Sequence, residues 1–464
     1  MKTLRLAALL SLFTIHASHS SAQSANNLQF SPLFGNYAGL STPSKYSNDF
    51  ARWHISYGLG IYGGSNGFPF SKIFQLYNTD TFTNATVDEF ISQLQKQNSI
   101  TIGMDIPVFL FEKNFGTFDD ACGSIRAFVR DRACGDLFFS DDLLKLAWKG
   151  NAQFVGQNVN VGLVGINSLY YREYGVGGSF KIPIASSDEK KILIGANVKW
   201  LQGIAFTEMP KTDAFIYTDP EGKYIDITLD QQMFYSGLIL DSSGAPVQVP
   251  KYNNQIGKMN VNGKGIGFDA SITYQLNENF GVSASLYDAG KINFTKKVYE
   301  SELNTQLHFE GVEVSDILND LVVDSIGYFY KHLHYNSASQ NSYIEKTPSR
   351  FCLSGTYQVI DNNNNGDDYA KEIVQVQFVN CIQKRVHAVE GNYFNLVYSH
   401  FFESGFNLGT ELTIGGIEKL GLGVFTGARI RKCRIGAGCS NLFPIIRKNS
   451  ATGTSFQTMM SFDF

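Results

Sequence analysis

The stretch DNNNNGDDYAKE sets Asp361, Asn363, Asn365, Gly366 and Glu372 in the spacing D-x-[DN]-x-[DN]-G-x5-E, in which oxygens from both ends of a loop wrap one calcium ion. The competing reading is a polar hairpin loop. Strand-like sequence flanks the stretch, Asp368 stands where an apolar residue is usual, and asparagine with glycine supplies a tight backbone. Ca2+ is the one cofactor this spacing raises, and no other is expected.

The 6 cysteines are the next chemistry to place. Cys352 and Cys381 fall on consecutive strands around the Asn-rich loop, on one parity and near a common register, which makes them the candidate disulfide. Cys433 and Cys439 lie on one strand about 20 Å apart, beyond the reach of a bridge, and share the apolar parity of lipid-facing thiols. Cys122 and Cys134 are likewise too far apart if the segment between them is extended. GLGIYG satisfies G-x-G-x-x-G through Gly58, Gly60 and Gly63, but Ile55, Tyr57, Leu59 and Ile61 alternate through it, as in a glycine-rich strand. His332 and His334 share a face only if extended, with no third ligand in register. No G-x-S-x-G elbow or H-E-x-x-H pair occurs, and the reading is of a protein that is not an enzyme.

Strands must position these side chains. In SFQTMMSFDF, Phe456, Thr458, Met460, Phe462 and Phe464 share one face, while Ser455, Gln457, Met459, Ser461 and Asp463 share the other. The same alternation runs through Ile266 to Leu276, Phe406 to Ile414 and Leu420 to Arg429, with turn residues between. Either a soluble sandwich or a membrane barrel makes such faces. In a barrel the polar face lines a lumen, and here it carries Arg126, Arg130, Arg132, Lys199, Asp269, Glu411, Arg429 and Arg434.

Both ends of the chain and its composition decide for the barrel. MKTLRLAALLSLFTIHASHSSAQ has the basic start, apolar run and small residues of a secretory signal cut between Ala22 and Gln23. Its loss takes Lys2 and Arg5, so 38 basic residues fall to 36 against 42 acidic, a formal charge of −6 that argues against nucleic acid. No later run is long and apolar enough for a membrane helix. The 37 phenylalanines and 23 tyrosines, with only 17% charged residues, suit aromatic girdles instead. Phe464, Phe462 and Met460 then read as the closing strand and the signal for the barrel-assembly machinery.

The expected architecture is an all-β transmembrane antiparallel barrel of about 14 strands, within a range of 12 to 16, over residues 51–464. An N-terminal periplasmic or hatch-like segment covers residues 23–50. Short helices are expected at Thr86–Gln95, with Thr86 and Glu89 as a capping box, at Ser140–Gly150, and at residues 315–330.

LAWKGNAQF, LYYREYGVGGSFKI and LIGANVKWLQGI resemble a Bacteroidota family of secreted outer-membrane barrels of unknown function, and SASLYDAGKINF and LHFEGVEVSDIL extend the resemblance. That family is similar in general shape to the long-chain fatty-acid transporters, barrels with a small N-terminal hatch in the lumen. Residues 23–50 lack the Asn-Pro-Ala element of that hatch, which speaks against a fatty-acid activity but not against a barrel. The resemblance implies an outer-membrane protein, surrounded by outer-membrane lipid, that passes small or hydrophobic molecules. The alternative is an accessory barrel that binds another envelope protein.

Overall fold

The computed structural model describes residues 29, 31–45, 53–66, 68–69, 84–116, 121–162, 164–184, 187–237, 260–310, 336–362, 368–382, 392–443 and 452–464. The signal cleavage point, the helix expected at 315–330, His332, His334, Asn363 and Asn365 lie outside them.

Fourteen strands close an antiparallel ring. In chain order they are β1 (Trp53–Ser65), β2 (Gln97–Gly116), β3 (Ala121–Ser140), β5 (Gly165–Ile184), β6 (Ser187–Thr218), β8 (Gly263–Gln275), β9 (Phe280–Phe294), β13 (Arg350–Asn362), β14 (Asp368–Cys381), β15 (Tyr393–Phe401), β16 (Phe406–Gly415), β17 (Lys419–Ile430), β18 (Cys433–Cys439) and β19 (Gly453–Asp463). The ring shuts where β1 pairs with β19, from His54 opposite Asp463 to Gly64 opposite Gly453. Closure removes the free edge that a terminal strand would otherwise expose.

Five more strands stand beyond the ring at one end: β4 (Asn158–Asn160), β7 (Ile225–Ser236), β10 (Val298–Phe309), β11 (Asn336–Gln340) and β12 (Tyr343–Lys346). The far half of β6 leaves the ring and pairs with β7, which pairs with β10, which pairs with β11. The segments 207–262 and 301–347 therefore contain a sheet. This end also holds the long connections, and the other end holds tight turns such as 276–279, 402–405 and 431–432.

Two helices lie at the long-loop end. α1 (Asn84–Ser92) starts two residues before the expected Thr86, so Thr86 is inside it and is not its cap. α2 (Asp141–Lys149) follows the expectation: Ser140 Oγ accepts from Leu143 N–H, and Gly150 ends the helix at φ +77°.

The ring turns alternate residues outward as a nearly continuous apolar surface that includes Val176, Val198, Ile266, Leu408, Leu420 and Phe456. An outward apolar band about 25 Å tall is what a lipid bilayer requires of a barrel. Among the described residues no helix is long and apolar enough to cross a membrane.

Candidate functional site

The inward ladder of β3, read from the tight-turn end, runs Arg126, Phe128, Arg130, Arg132, Cys134. These five residues fall in three successive layers of the lumen.

At the first step the N-terminal segment enters the barrel. One helical turn, Gly35–Ala38, lies in the lumen, and Leu33, Phe34, Tyr37 and Leu40 pack against Leu110, Phe128, Val397, Phe425 and Met459 from five different strands. Those five face the lumen, where a water-filled barrel would carry polar groups. Polar tethers complete the seat. Arg126 donates to the carbonyls of Gly39 (2.8 Å), Pro43 (3.0 Å) and Lys45 (2.7 Å), and Glu112 holds its guanidinium at 3.1 Å. Arg434 Nη1 donates to Leu33 O at 2.8 Å, Asn197 Nδ2 to Gly39 O at 3.1 Å, and Ser44 N–H to Ser271 Oγ at 2.6 Å. Fit depends on bare backbone: a Cβ on Gly39 would collide with the Arg126 guanidinium, and one on Gly195 with the carbonyl of Pro43. Burial pushes the Tyr37 hydroxyl well above its ordinary pKa.

The second layer is ionic. Arg130 bonds both oxygens of Asp105 and lies 3.8 Å from Glu173; Arg132 reaches Asp288 at 2.6 Å and Glu173 at 3.5 Å. Lys199 Nζ stands 2.7 Å from Asp269 and 2.9 Å from Asp288, while Arg350 approaches Asp288 at 3.7 Å. Four cations thus face four carboxylates. Balance is obligatory, because an unpaired buried charge costs several kcal/mol. Arg350, Arg434 and Lys199 are each under 2% exposed although they point into the lumen, so side chains rather than open water fill these levels.

A β-bulge makes this layer. Between Phe268 and Ala270 the single residue Asp269 faces two on β9, Tyr287 and Asp288, and both of these turn inward. Asp288 takes φ +60°, a conformation aspartate tolerates better than most residues. Its N–H then donates to Asp269 Oδ1 at 2.7 Å. The Tyr-Asp-Ala-Gly of SASLYDAGKINF is the sequence of that bulge.

The third layer is apolar. Cys134, Leu169, Leu201, Ile292 and Val298 surround Phe206 and Phe294, whose rings are 4.6 Å apart. Tyr343 stacks on Phe206 at 4.8 Å and on Phe234 at 4.9 Å.

A family model described as a family of unknown function (DUF5723) matches residues 48–438. The chain belongs to this family. No match was found among curated proteins. Among solved structures, the chain is similar to a Pseudomonas aeruginosa FadL homologue (11% identity, 97% of this chain and 99% of that one, TM-score 0.44). It is also similar to the Ralstonia pickettii toluene transporter TbuX (8%, 89% and 90%, 0.41) and the Pseudomonas putida toluene transporter TodX (8%, 96% and 94%, 0.40). At these values the likenesses bear on neither site nor substrate; the barrel assignment rests on the chain's own strand register.

The structure gathers Arg130, Arg132, Lys199 and Asp269 into the ionic layer and sets Arg126 and Arg434 against the N-terminal segment. Arg429 joins Arg434 at Asp463, to which His54 Nδ1 also bonds at 3.1 Å. Glu411 is buried apart from the layer, beside Thr413. Phe462 and Met460 lie on the outward parity of β19, and Phe464 N–H bonds to Trp53 O.

Cys352 and Cys381 require a correction. Cys352 pairs with Val379 and Cys381 with Arg350, two residues out of register, and both are buried with no disulfide between them. At the calcium spacing, Lys371 holds Asp361 at 2.6 Å, while Glu372 faces His400 at 3.3 Å. Asp105, Glu173, Asp288 and Arg350 were not among the sequence-derived lumen charges. Bulges at Pro107/Phe109 and at Asp288 interrupt the period-two count on β2 and β9. The Tyr-Asp-Ala-Gly stretch is the one available signal for the second.

Proposed function

We propose that the protein is a non-enzymatic barrel of the bacterial outer membrane that passes small hydrophobic molecules, with residues 31–45 as the gate. The bacterial source, the export signal and the assembly role of Phe464, Phe462 and Met460 belong to this reading, supported by the sequence. The observation that carries it is the apolar aromatic layer at the long-loop end of the lumen, where Phe206 and Phe294 of the ring pack with Phe234 and Tyr343 of the strands beyond it, at a level that an aqueous pore would line with polar groups. Such a layer receives an apolar solute, and the seated N-terminal segment blocks its onward path. Since tethers to backbone carbonyls are individually worth only about 1.5–3 kcal/mol, the segment can be displaced without unfolding the ring.

Conductance and uptake test this. In planar bilayers the wild type should be closed, and the double variant Arg126→Ala/Arg434→Ala should open and pass a small aromatic solute into vesicles. A variant that stays closed sinks the gating role. If, in addition, a stoichiometric protein subunit is retained on purification in mild detergent, the accessory-barrel reading replaces transport.

A further inference from the structure

Three successive outward rows cross β3, β5, β6, β8 and β9. The first is wholly apolar: Ala127, Val176, Val198, Phe268 and Ala289. In the next, nearer the long-loop end, Val129, Tyr174, Trp200 and Ile266 lead to Lys291, which faces Lys346 of β12. The third is polar: Asp131, Arg172, Gln202, Lys264 and Asn293. Apolar, aromatic and charged residues thus succeed one another within two steps along each strand, as they do where a bilayer gives way to its headgroups.

At this boundary Lys291 and Lys346 are directly opposed across a strand pair, with side chains about 5 Å apart at their roots, an arrangement that is destabilising by itself. Lys264 pairs with Asn293, two residues along the same face. All three lysines are exposed, and none has an ion-pair partner among the described residues. By contrast, Asp131 in the same row is held by Arg172 through two bonds of 2.6 and 2.7 Å. Among the described residues, the three lysines thus leave charge at this boundary that no carboxylate offsets.

We propose that Lys264, Lys291 and Lys346 form a site for the phosphate of an anionic lipid headgroup. Ile266, 69% exposed in the row of Lys291, and Val198 and Phe268 in the apolar row before it lie where that lipid's chains begin. An anion there relieves the repulsion between Lys291 and Lys346 and ties one sector of the ring to the membrane surface.

The inference rests on the membrane-embedded reading, which flotation of the wild type with phosphatidylcholine vesicles tests separately. The site is tested by native mass spectrometry of the detergent-solubilised barrel titrated with phosphatidylglycerol, phosphatidylcholine or inorganic phosphate. The expected result is preferential retention of phosphatidylglycerol, weakened about fivefold for each lysine changed in the series leading to Lys264→Gln/Lys291→Gln/Lys346→Gln. Lys223→Gln, in a turn beyond the ring, should leave retention unchanged, and unboiled electrophoresis shows that each variant is folded. Equal retention of phosphatidylcholine, equal retention by the triple variant, or occupancy by inorganic phosphate as strong as by lipid would each overturn the site. Failure of the wild type to float would overturn the embedded reading and the site with it.

Discussion

Arg126 Nη1 donates to the carbonyl of Gly39 at 2.8 Å across 87 residues of sequence, with its guanidinium held 3.1 Å from Glu112. One side chain therefore fixes the N-terminal segment to the wall and is itself fixed by a neighbouring strand. Arg126→Ala removes three tethers and the buried ion pair with Glu112, which should cost the seat about 3–5 kcal/mol. The expected outcome is a rise of at least tenfold in maleimide labelling of a cysteine placed at Ser41, with the ring still folded by unboiled electrophoresis.

Lys199 joins Asp269, Asp288 and Glu173, and its loss leaves carboxylates facing one another. Lys199→Met should lower barrel stability by about 3–5 kcal/mol, read as a fall in the urea midpoint. Adding Asp269→Asn should restore part of it, because both changes act on one interaction.

Glu418 sits in the turn between β16 and β17, where burial pushes its carboxyl up to about 7, opposed by a hydrogen bond from Ser440 Oγ. An acid whose folded pKa lies above its unfolded value of 4.5 takes up a proton on folding. Stability is therefore greatest at and below about pH 4.5, falls as pH rises towards 7, and is constant above, with a span on the order of 3 kcal/mol. Hydrogen exchange at this turn should be slower at pH 5 than at pH 8 once corrected for intrinsic rates. Glu418→Gln should abolish the difference.

Met460 faces outward in the middle of β19, and Phe464 follows at its end. Met460→Arg should destabilise the barrel in lipid by about 2–4 kcal/mol, whereas Phe464→Lys, at the edge of the band, should cost about 0–1 kcal/mol. If Phe464 is read by the assembly machinery, its substitution nevertheless lowers the fraction assembled in cells. Equal assembly of the Phe464 variant and the wild type argues against that role.

Cys352 and Cys381, not bridged to one another, should both alkylate after unfolding without reductant. A mass two hydrogens lighter, with neither residue labelled, would show the bridge that the register disfavours.

Strand faces were legible because their period is two and lipid enforces it. Phe456, Thr458 and Met460 could be placed outward from sequence alone, as could Leu420, Leu422 and Val424. What sequence hid was cargo of the chain's own making. Phe425, Phe128 and Met459 break the polar face for no local reason, and only the N-terminal segment packed on them explains their type. Arg350 and Asp288 were hidden differently, since partners on separate strands meet only after a bulge has shifted one of them. The disulfide expectation failed on a two-residue offset, finer than strand boundaries can be read from sequence.

The tethers of residues 31–45 also set a timetable. Leu33 is held by Arg434, and Phe34 packs beside Met459 and Phe425, so its seat is completed by strands made some 400 residues later. Residues 31–45 find their full seat only once β17 to β19 are in place. Long-range closure of this kind is slow. Until β19 docks, Leu33, Phe34 and Leu40 lack part of the apolar surface that covers them in the closed ring, which makes that interval the vulnerable one.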